Sequence, residues 1–340
     1  MHKNAPPPAV DVDYDFPRAK EEYRAFCEAG DHDLPVFALP WYLDAVCAPD
    51  EEWRVILYQE NGRIRAAFPF AYRKGKYGLW HIRNPWQAPR LGIWIDYRGR
   101  AERLGKRESY ENRIVADIVS KLPYYDVFQI AFDARFQNWQ QFYRLGFRQT
   151  SHYSYILTAM EDILPGLSSN LRRKIRILNE TYYADTNVSL DEYWFFFQES
   201  YRQRARTAAY SKDQFFTLYH AAKRHNAAEL VACRNEQGQI FSVACLFYDT
   251  RRIYSMFHTY DATTKLSTQP IVTLRSIALA KERGLEFDFE GSMIPGAAQY
   301  YSAFNSVREP YFIISNFSSK YRLLSGLRES AQALKAIVKG

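Results

Sequence analysis

Cysteine is scarce in this chain of 340 residues: four occur, Cys27, Cys47, Cys233 and Cys245, and no two form a C-x-x-C pair. That dispersal excludes a zinc ribbon or a thioredoxin-type centre and matches reduced thiols in a cytoplasmic protein. The seven histidines show neither HxxH nor HExxH spacing, so no metal site is expected. A P-loop, a dinucleotide fingerprint and a nucleophile elbow are all missing. No run approaches ~18 consecutive apolar residues, so no integral membrane segment is expected. The opening stretch, MHKNAPPPAVDVDYDFP, has no apolar core of a secretory signal and reads as an extended or disordered lead-in over 1–17.

Aromatic residues, by contrast, are abundant. They make up 16% of the chain, with 26 Tyr and 23 Phe, which suits clefts lined by rings. Lys and Arg total 45 against 38 for Asp and Glu, a net charge of +7. That balance suits an anionic partner such as a phosphorylated cofactor, RNA or an acidic membrane surface, and equally an ordinary mildly basic enzyme. The length points to two domains, each of about 150 residues.

Periodicity divides the chain into two halves with one order of elements. In the first, EWRVILYQ and RIRAAFPFAYRK form a hairpin whose turn is Asn61-Gly62, a pair suited to positive φ. A third strand, a helix in SYENRIVADIVSKL, a strand in YDVFQIAF, a short helix and a last strand follow. In the second half, SLDE supplies a capping box (Ser189, Glu192) for the helix DEYWFFFQESYRQRA. A hairpin, a third strand RIYSMFHTY, the helix QPIVTLRSIALAKERG capped by Gly284, the strand EFDFEGS, a short helix and the strand REPYFIISNF repeat the earlier order. The breaks predict domains at 18–162 and 163–319, with an amphipathic helix over 320–340. That helix carries a stripe of Leu324, Leu327, Ala331, Leu334 and Val338 expected to pack on the protein.

Three short runs, LRRKIRIL at the junction, FDFEGSM, and the stretch from Phe304 to Phe312, carry a resemblance. With the duplicated order of elements, the chain resembles the tandem acetyltransferase-like (GNAT) proteins of the Fem family, the peptidyl and aminoacyl transferases of peptidoglycan synthesis and their bacterial relatives. The resemblance implies an α/β (α+β) fold of two GNAT-like domains, each a mixed, mainly antiparallel sheet flanked by helices. It also implies a transferase that uses acetyl-CoA or another acyl-CoA. The coenzyme A pyrophosphate would then sit at the start of the helix after the third strand, where the usual [RQ]-x-x-G-x-[GA] signature is replaced by DATTKLSTQP. Lys265, Ser267, Thr268 and Gln269 are the candidate cofactor residues there, with Pro270 suited to the first helical turn.

The resemblance places FDFEGS on the wall that this fold uses for its acceptor. Asp288 and Glu290 are therefore candidates to hold an attacking amine or take its proton. The alternative is structural: one acid pairs with an arginine such as Arg275, and Glu286 faces water at the strand start. In an extended chain Glu286, Asp288 and Glu290 share one face. His258 is a candidate base or a satisfied core histidine, with Asp261 either orienting it or capping a turn. Tyr301, beside Tyr300, occupies the short helix where the resemblance places an acid for the leaving group. Arg172, Arg173, Lys174 and Arg176 surround a helix whose apolar side is Leu171, Ile175 and Leu178; they suit tRNA phosphates or a solvated linker.

The functions expected are three. The first is N-acyl transfer to an amine-bearing small molecule. The second is Fem-like transfer from aminoacyl-tRNA to a cell-wall precursor. The third is a non-catalytic binding protein that retains the fold, which the missing glycines of the cofactor loop favour.

Overall fold

The structure is a computed structural model that describes residues 13–30, 32–98, 103–158, 163–208 and 210–327. Contacts divide the chain into two compact units. Unit 1 comprises 1–32, 37–151 and 311–340; unit 2 comprises 33–36 and 152–310. These cuts fall elsewhere than the 162/163 junction drawn from the sequence. Each unit takes the last strand of its sheet from the other half of the chain, a non-local choice that no linker composition reports.

Unit 1 starts with α1 (Phe16–Glu28) and α2 (Pro40–Val46). Asp15 caps α1 by accepting from the Arg18 N–H. Strands β1 (Glu52–Glu60) and β2 (Arg63–Lys74) form the expected hairpin, with φ of 51° at Asn61 and 70° at Gly62. Then come β3 (Trp80–Arg83), β4 (Trp94–Ile95), α3 (Leu104–Ser120), β5 (Val127–Ala131), α4 (Gln140–Arg144) and β6 (Arg148–Leu157). β2 pairs antiparallel with β1, β3 and β4, and β3 runs parallel to β5. The neighbour of β5 is the last strand of the chain, antiparallel from Ile313 to Phe317. Phe68, Phe70, Phe128, Phe132, Phe142 and Ile114 fill the core of this unit.

Unit 2 contains α5 (Ser169–Leu178), β7 (Tyr182–Asp185), α6 (Leu190–Gln203) and α7 (Lys212–Arg224). The Ser189–Glu192 capping box is present at α6, and Ser211–Gln214 form another at α7. Its sheet continues with β8 (Ala228–Asn235), β9 (Ile240–Tyr248) and β10 (Arg252–Tyr260). The helix α8 (Gln269–Glu282), β11 (Glu286–Asp288), α9 (Pro295–Ser302) and β12 (Val307–Phe317) complete the chain. β7 to β10 are antiparallel neighbours, β10 runs parallel to β11, and β11 pairs antiparallel with β6 at Leu157 and Ile156. The pairing signs therefore repeat those of unit 1. The mixed, mainly antiparallel class expected from the sequence is the one observed.

After β12 a helix runs over 319–327, and residues 328–340, with Ala331, Leu334 and Val338 of the expected stripe, lie outside the described residues. Leu327, assigned to the packed stripe, is instead 60% exposed.

Candidate active site

Parallel pairing of β10 with β11 lasts for three residue pairs, Arg252–Glu286, Ile253–Phe287 and Tyr254–Asp288. Beyond Tyr254, β10 pairs only with β9 among the described residues, and it bulges at Met256 between the pairings of Ser255 and Phe257. On the other side, β11 ends at Asp288, and Glu290 and Gly291 take φ of 63° and 66°. The two strands thus part at an apex formed by Tyr254 and Asp288. Gly291 is needed there, because a Cβ at that position would collide with the Tyr153 carbonyl oxygen.

This geometry corrects the expectation that Glu286, Asp288 and Glu290 share one strand face. Alternation ends at Asp288, and the left-handed turn re-aims Glu290. Asp288 is fully buried. Its Oδ1 accepts from Ser154 Oγ at 2.5 Å and from the Glu290 backbone N–H at 2.8 Å. Its Oδ2 stands 3.7 Å from Arg252 Nη1. Arg252, 5% exposed, also donates to Glu309 through both Nη atoms at 2.6 and 2.7 Å and to Glu286 through Nε at 2.5 Å. Burial opposes the charge on Arg252, but Glu309, Asp288 and Glu286 outweigh it and raise the guanidinium pKa. Arg275, named from the sequence as the arginine partner, pairs with Glu282 instead at 2.5 Å. Nor is Glu286 free in water: it is half-buried against Arg252 and lies 3.3 Å from Arg251. One buried cation therefore gathers three acids, and Asp288 anchors the turn that carries Glu290.

Tyr301 lies on the β11 side, 7% exposed, with its ring 4.9 Å from Phe289 and 5.6 Å from Tyr155. Burial, reinforced by the charges of Glu290 and Asp288, pushes its pKa up to about 12. The phenol stays protonated at neutral pH. Tyr300 is occupied differently, with its hydroxyl 2.9 Å from Thr273 Oγ1. His258 follows the bulge on β10 and has an exposed edge, while Phe257 and Thr259 beside it are buried. The bulge breaks the alternation that would have grouped His258 with Tyr254. Crowding around the imidazole lowers its pKa, opposed by a backbone hydrogen bond with Ser255, so the ring is neutral and able to accept a proton. Asp261 does not orient it; Asp261 Oδ1 accepts from Thr263 N and Oγ1, both at 2.8 Å.

The start of α8 gives a poor seat for pyrophosphate. Such a seat needs free backbone N–H donors. The Gln269 N–H is taken by Ser267 Oγ at 3.3 Å and the Ile271 N–H by the Thr268 carbonyl at 3.0 Å, and Pro270 has none. In the preceding loop, Asp261 already holds the Thr263 N–H. Thr268 is buried and its hydroxyl donates to the Phe241 carbonyl at 3.1 Å. Lys265 is exposed and supplies one cation. Gln269 is 8% exposed, and its Oε1 has no hydrogen-bond partner. The four residues singled out from the sequence do cluster here, but the N–H groups of Gln269 and Ile271 and the Thr268 hydroxyl are already in use, so the helix start itself is a poor anchor for coenzyme A.

On α5, Leu171, Ile175 and Leu178 are buried as the spacing predicts, and Arg172, Arg173 and Arg176 are exposed. Arg172 Nη2 is tied to the Pro165 and Leu167 carbonyls at 2.9 and 3.0 Å. Lys174 is half-buried, and that burial lowers its pKa. Residues that the sequence did not offer are Arg252, Ser154 and Glu309. Their signal was faint: an Arg in a strand otherwise apolar at its start, and an acid in REPYF.

Residues 166–301 match the family model described as an acetyltransferase (GNAT) domain. No curated protein sequence matches the chain. Among solved structures, FemX superposes with a TM-score of 0.62 at 12% identity, covering 86% of this chain and 95% of that one. L-PGS from Bacillus licheniformis superposes with a TM-score of 0.51 at 12% identity, covering 94% and 98%. A conserved protein of unknown function from Bacteroides thetaiotaomicron gives 0.52 at 11% identity, covering 90% and 99%. The chain therefore has the fold of these proteins, and the stretch that matches the GNAT domain model lies in its second half. Among the described residues, no helix is long and apolar enough to cross a membrane, and no group of His, Cys, Asp and Glu is arranged to hold a metal ion.

Proposed function

We propose that the chain is an N-acyltransferase whose reaction takes place in the opening between β10 and β11. The observation that carries this reading is the parting of those strands after Tyr254 and Asp288, with Glu290 and Tyr301 on one side and, on the other, the stretch of β10 that pairs only with β9 among the described residues. An acceptor amine held by Glu290 loses a proton to its carboxylate as the nitrogen bonds to the acyl carbonyl carbon. The bond from that carbon to the donor's leaving atom then breaks, and Tyr301 supplies the proton that the leaving atom takes up. Backbone N–H groups of β10 beyond Tyr254 that do not bond to β9 suit the developing oxyanion. His258 is the second candidate base. Asp288 acts through its hydrogen bond to the Glu290 N–H and is a positioning residue.

The donor is the open half of the reading. An acyl-CoA remains the donor implied by the domain family, while the N–H groups already in use at Gln269 and Ile271 favour a carrier recognised otherwise. Fem-like transfer from aminoacyl-tRNA to a cell-wall precursor is the second reading, supported by the exposed Arg173 and Arg176 on α5. Four cysteines without a disulfide suit the cytoplasm for either one. The test offers acetyl-CoA, longer acyl-CoAs and aminoacyl-tRNA to the parent chain with a panel of amines, with product mass as the readout. With the active donor, Glu290→Gln should lose about 100-fold in turnover while keeping its melting temperature. A variant with full turnover removes Glu290 from the reaction.

A further inference from the structure

We propose that unit 1 carries a binding site for a phosphate-bearing small molecule, in a cavity edged by three arginines. The cavity measures about 680 Å³ and lies between α1, the β1–β2 turn and the segment after β4. That volume is in the range of small-molecule sites, roughly 300–1,000 Å³.

One wall is basic. It presents Arg63 and Arg65 from the start of β2 and Arg98 from beyond β4, around the single carboxylate of Asp96. Asp96 is 5% exposed and organises the group: Oδ2 accepts from Arg65 Nη1 at 2.8 Å, and Oδ1 accepts from Arg98 Nε at 2.9 Å and Arg98 N at 3.0 Å. Burial works against the Asp96 charge, but the hydrogen bonds from Arg98 and Arg65 prevail and hold its carboxyl below the ordinary range. Asp96 is thus a fixed anion that orients two guanidinium forks. Among the lining residues three arginines stand around one carboxylate, and Arg63 is exposed with no ion-pair partner among the described residues. The Nε–H of Arg65 is buried without an acceptor, which adds to the positive field.

Apolar lining comes from Phe26 of α1 and from Ile64, which lies between Arg63 and Arg65 on β2. Phe26 is itself held by Trp94, ring centroids 5.2 Å apart, so its position is set before any ligand arrives. Planar guanidinium groups recognise phosphate oxygens in pairs, and a concave basic wall concentrates its field on a dianion. The ring and the aliphatic side chain would then receive the body of the same molecule. The ligand class is a dianionic phosphate or diphosphate on an apolar or heterocyclic body, on the scale of a nucleotide.

Calorimetric titration of the full chain with inorganic pyrophosphate, adenosine diphosphate and succinate tests this. Both phosphates should bind, adenosine diphosphate the more tightly, and both should weaken as salt rises. Arg63→Glu, at an exposed turn position, should reduce both affinities by about tenfold or more with an unchanged circular dichroism spectrum. Arg98→Gln should act in the same direction, and Phe26→Ala should remove the advantage of adenosine diphosphate over pyrophosphate. Phosphate binding indifferent to Arg63→Glu and Arg98→Gln, or absent altogether, overturns the site. Succinate binding as tightly as pyrophosphate overturns its assignment to phosphate.

Discussion

Units 1 and 2 build the same run of strands, yet they treat the gap beyond their parallel pair in opposite ways. In unit 1, β3 and β5 stop pairing after Arg83 and Gln129, and the chain then fills the opening itself. The Asn84 side chain donates to the Ala131 carbonyl at 3.2 Å and accepts the Ala131 N–H at 2.8 Å, imitating a strand. Leu91 then bridges to Phe132, and Gly92 lets the backbone come so close that a Cβ would sit 2.6 Å from the Phe132 ring. In unit 2 the equivalent place beyond Tyr254 and Asp288 has no such amide and no such bridge among the described residues. What stands there instead is a left-handed turn bearing Glu290, beside the buried phenol of Tyr301. A sealed gap serves stability. An open one costs backbone hydrogen bonds, and that cost is understandable where a substrate supplies the missing partners.

The largest effect should come from the cation that holds the open gap together. Arg252→Met leaves Glu286, Asp288 and Glu309 facing one another and should destabilise unit 2 by about 3–5 kcal/mol, read from denaturant unfolding. An unchanged midpoint would make the cluster ornamental. Gly291→Ala comes next, at about 3 kcal/mol, since it adds a Cβ against the β6 backbone at a positive φ. Gly92→Ala in unit 1 should cost a comparable amount, because its Cβ would meet the ring and Cα of the fully buried Phe132 at a positive φ. A negligible cost there would break the parallel between the two units.

Asn84→Ala should cost about 1–2 kcal/mol by stranding the Ala131 N–H, whose carbonyl keeps the Leu91 N–H at 2.9 Å, and should leave the proposed transfer intact. Loss of transfer in that variant would show that the sealed gap is also a working one. His258→Gln should have the smallest effect, visible as a pH dependence. The folded-state pKa of His258 lies below its ordinary value of 6.5, so the unfolded chain binds more protons just under that pH. His258 therefore makes stability rise with pH through that window and fall away as acid is added. The variant should flatten this slope, and an identical slope in parent and variant would assign it to another group.

Local chemistry made much of the fold legible. Asn61-Gly62, the Ser189–Glu192 box, Gly284 after α8 and the Leu171–Ile175–Leu178 stripe all act within a few residues of themselves, and each is where the pattern put it. Features set by distant partners were not legible. Alternating acids in EFDFEGS looked like a continuing strand, because nothing local shows that Tyr153 presses on Gly291 and turns the chain. Arg252 was missed in favour of Arg275 because its three acids lie 34, 36 and 57 residues further on. The exchange of last strands between units is likewise invisible to any pattern of neighbours. In the candidate site, Glu290 and Tyr301 could be named from the sequence, but the burial of Asp288 and its hydrogen bond to the Glu290 N–H could not.

Amide hydrogen exchange, resolved by residue in the ligand-free chain, tests the contrast between the two gaps most directly. The Ala131 amide, bonded to the Asn84 side chain, should be strongly protected. Amides of β10 beyond Tyr254 that do not bond to β9 should exchange much faster, although they belong to an equally well-packed sheet. Slow exchange along that edge of β10, equal to that of Ala131, would mean that the gap in unit 2 is sealed as well, and the account of an open reaction site would fail.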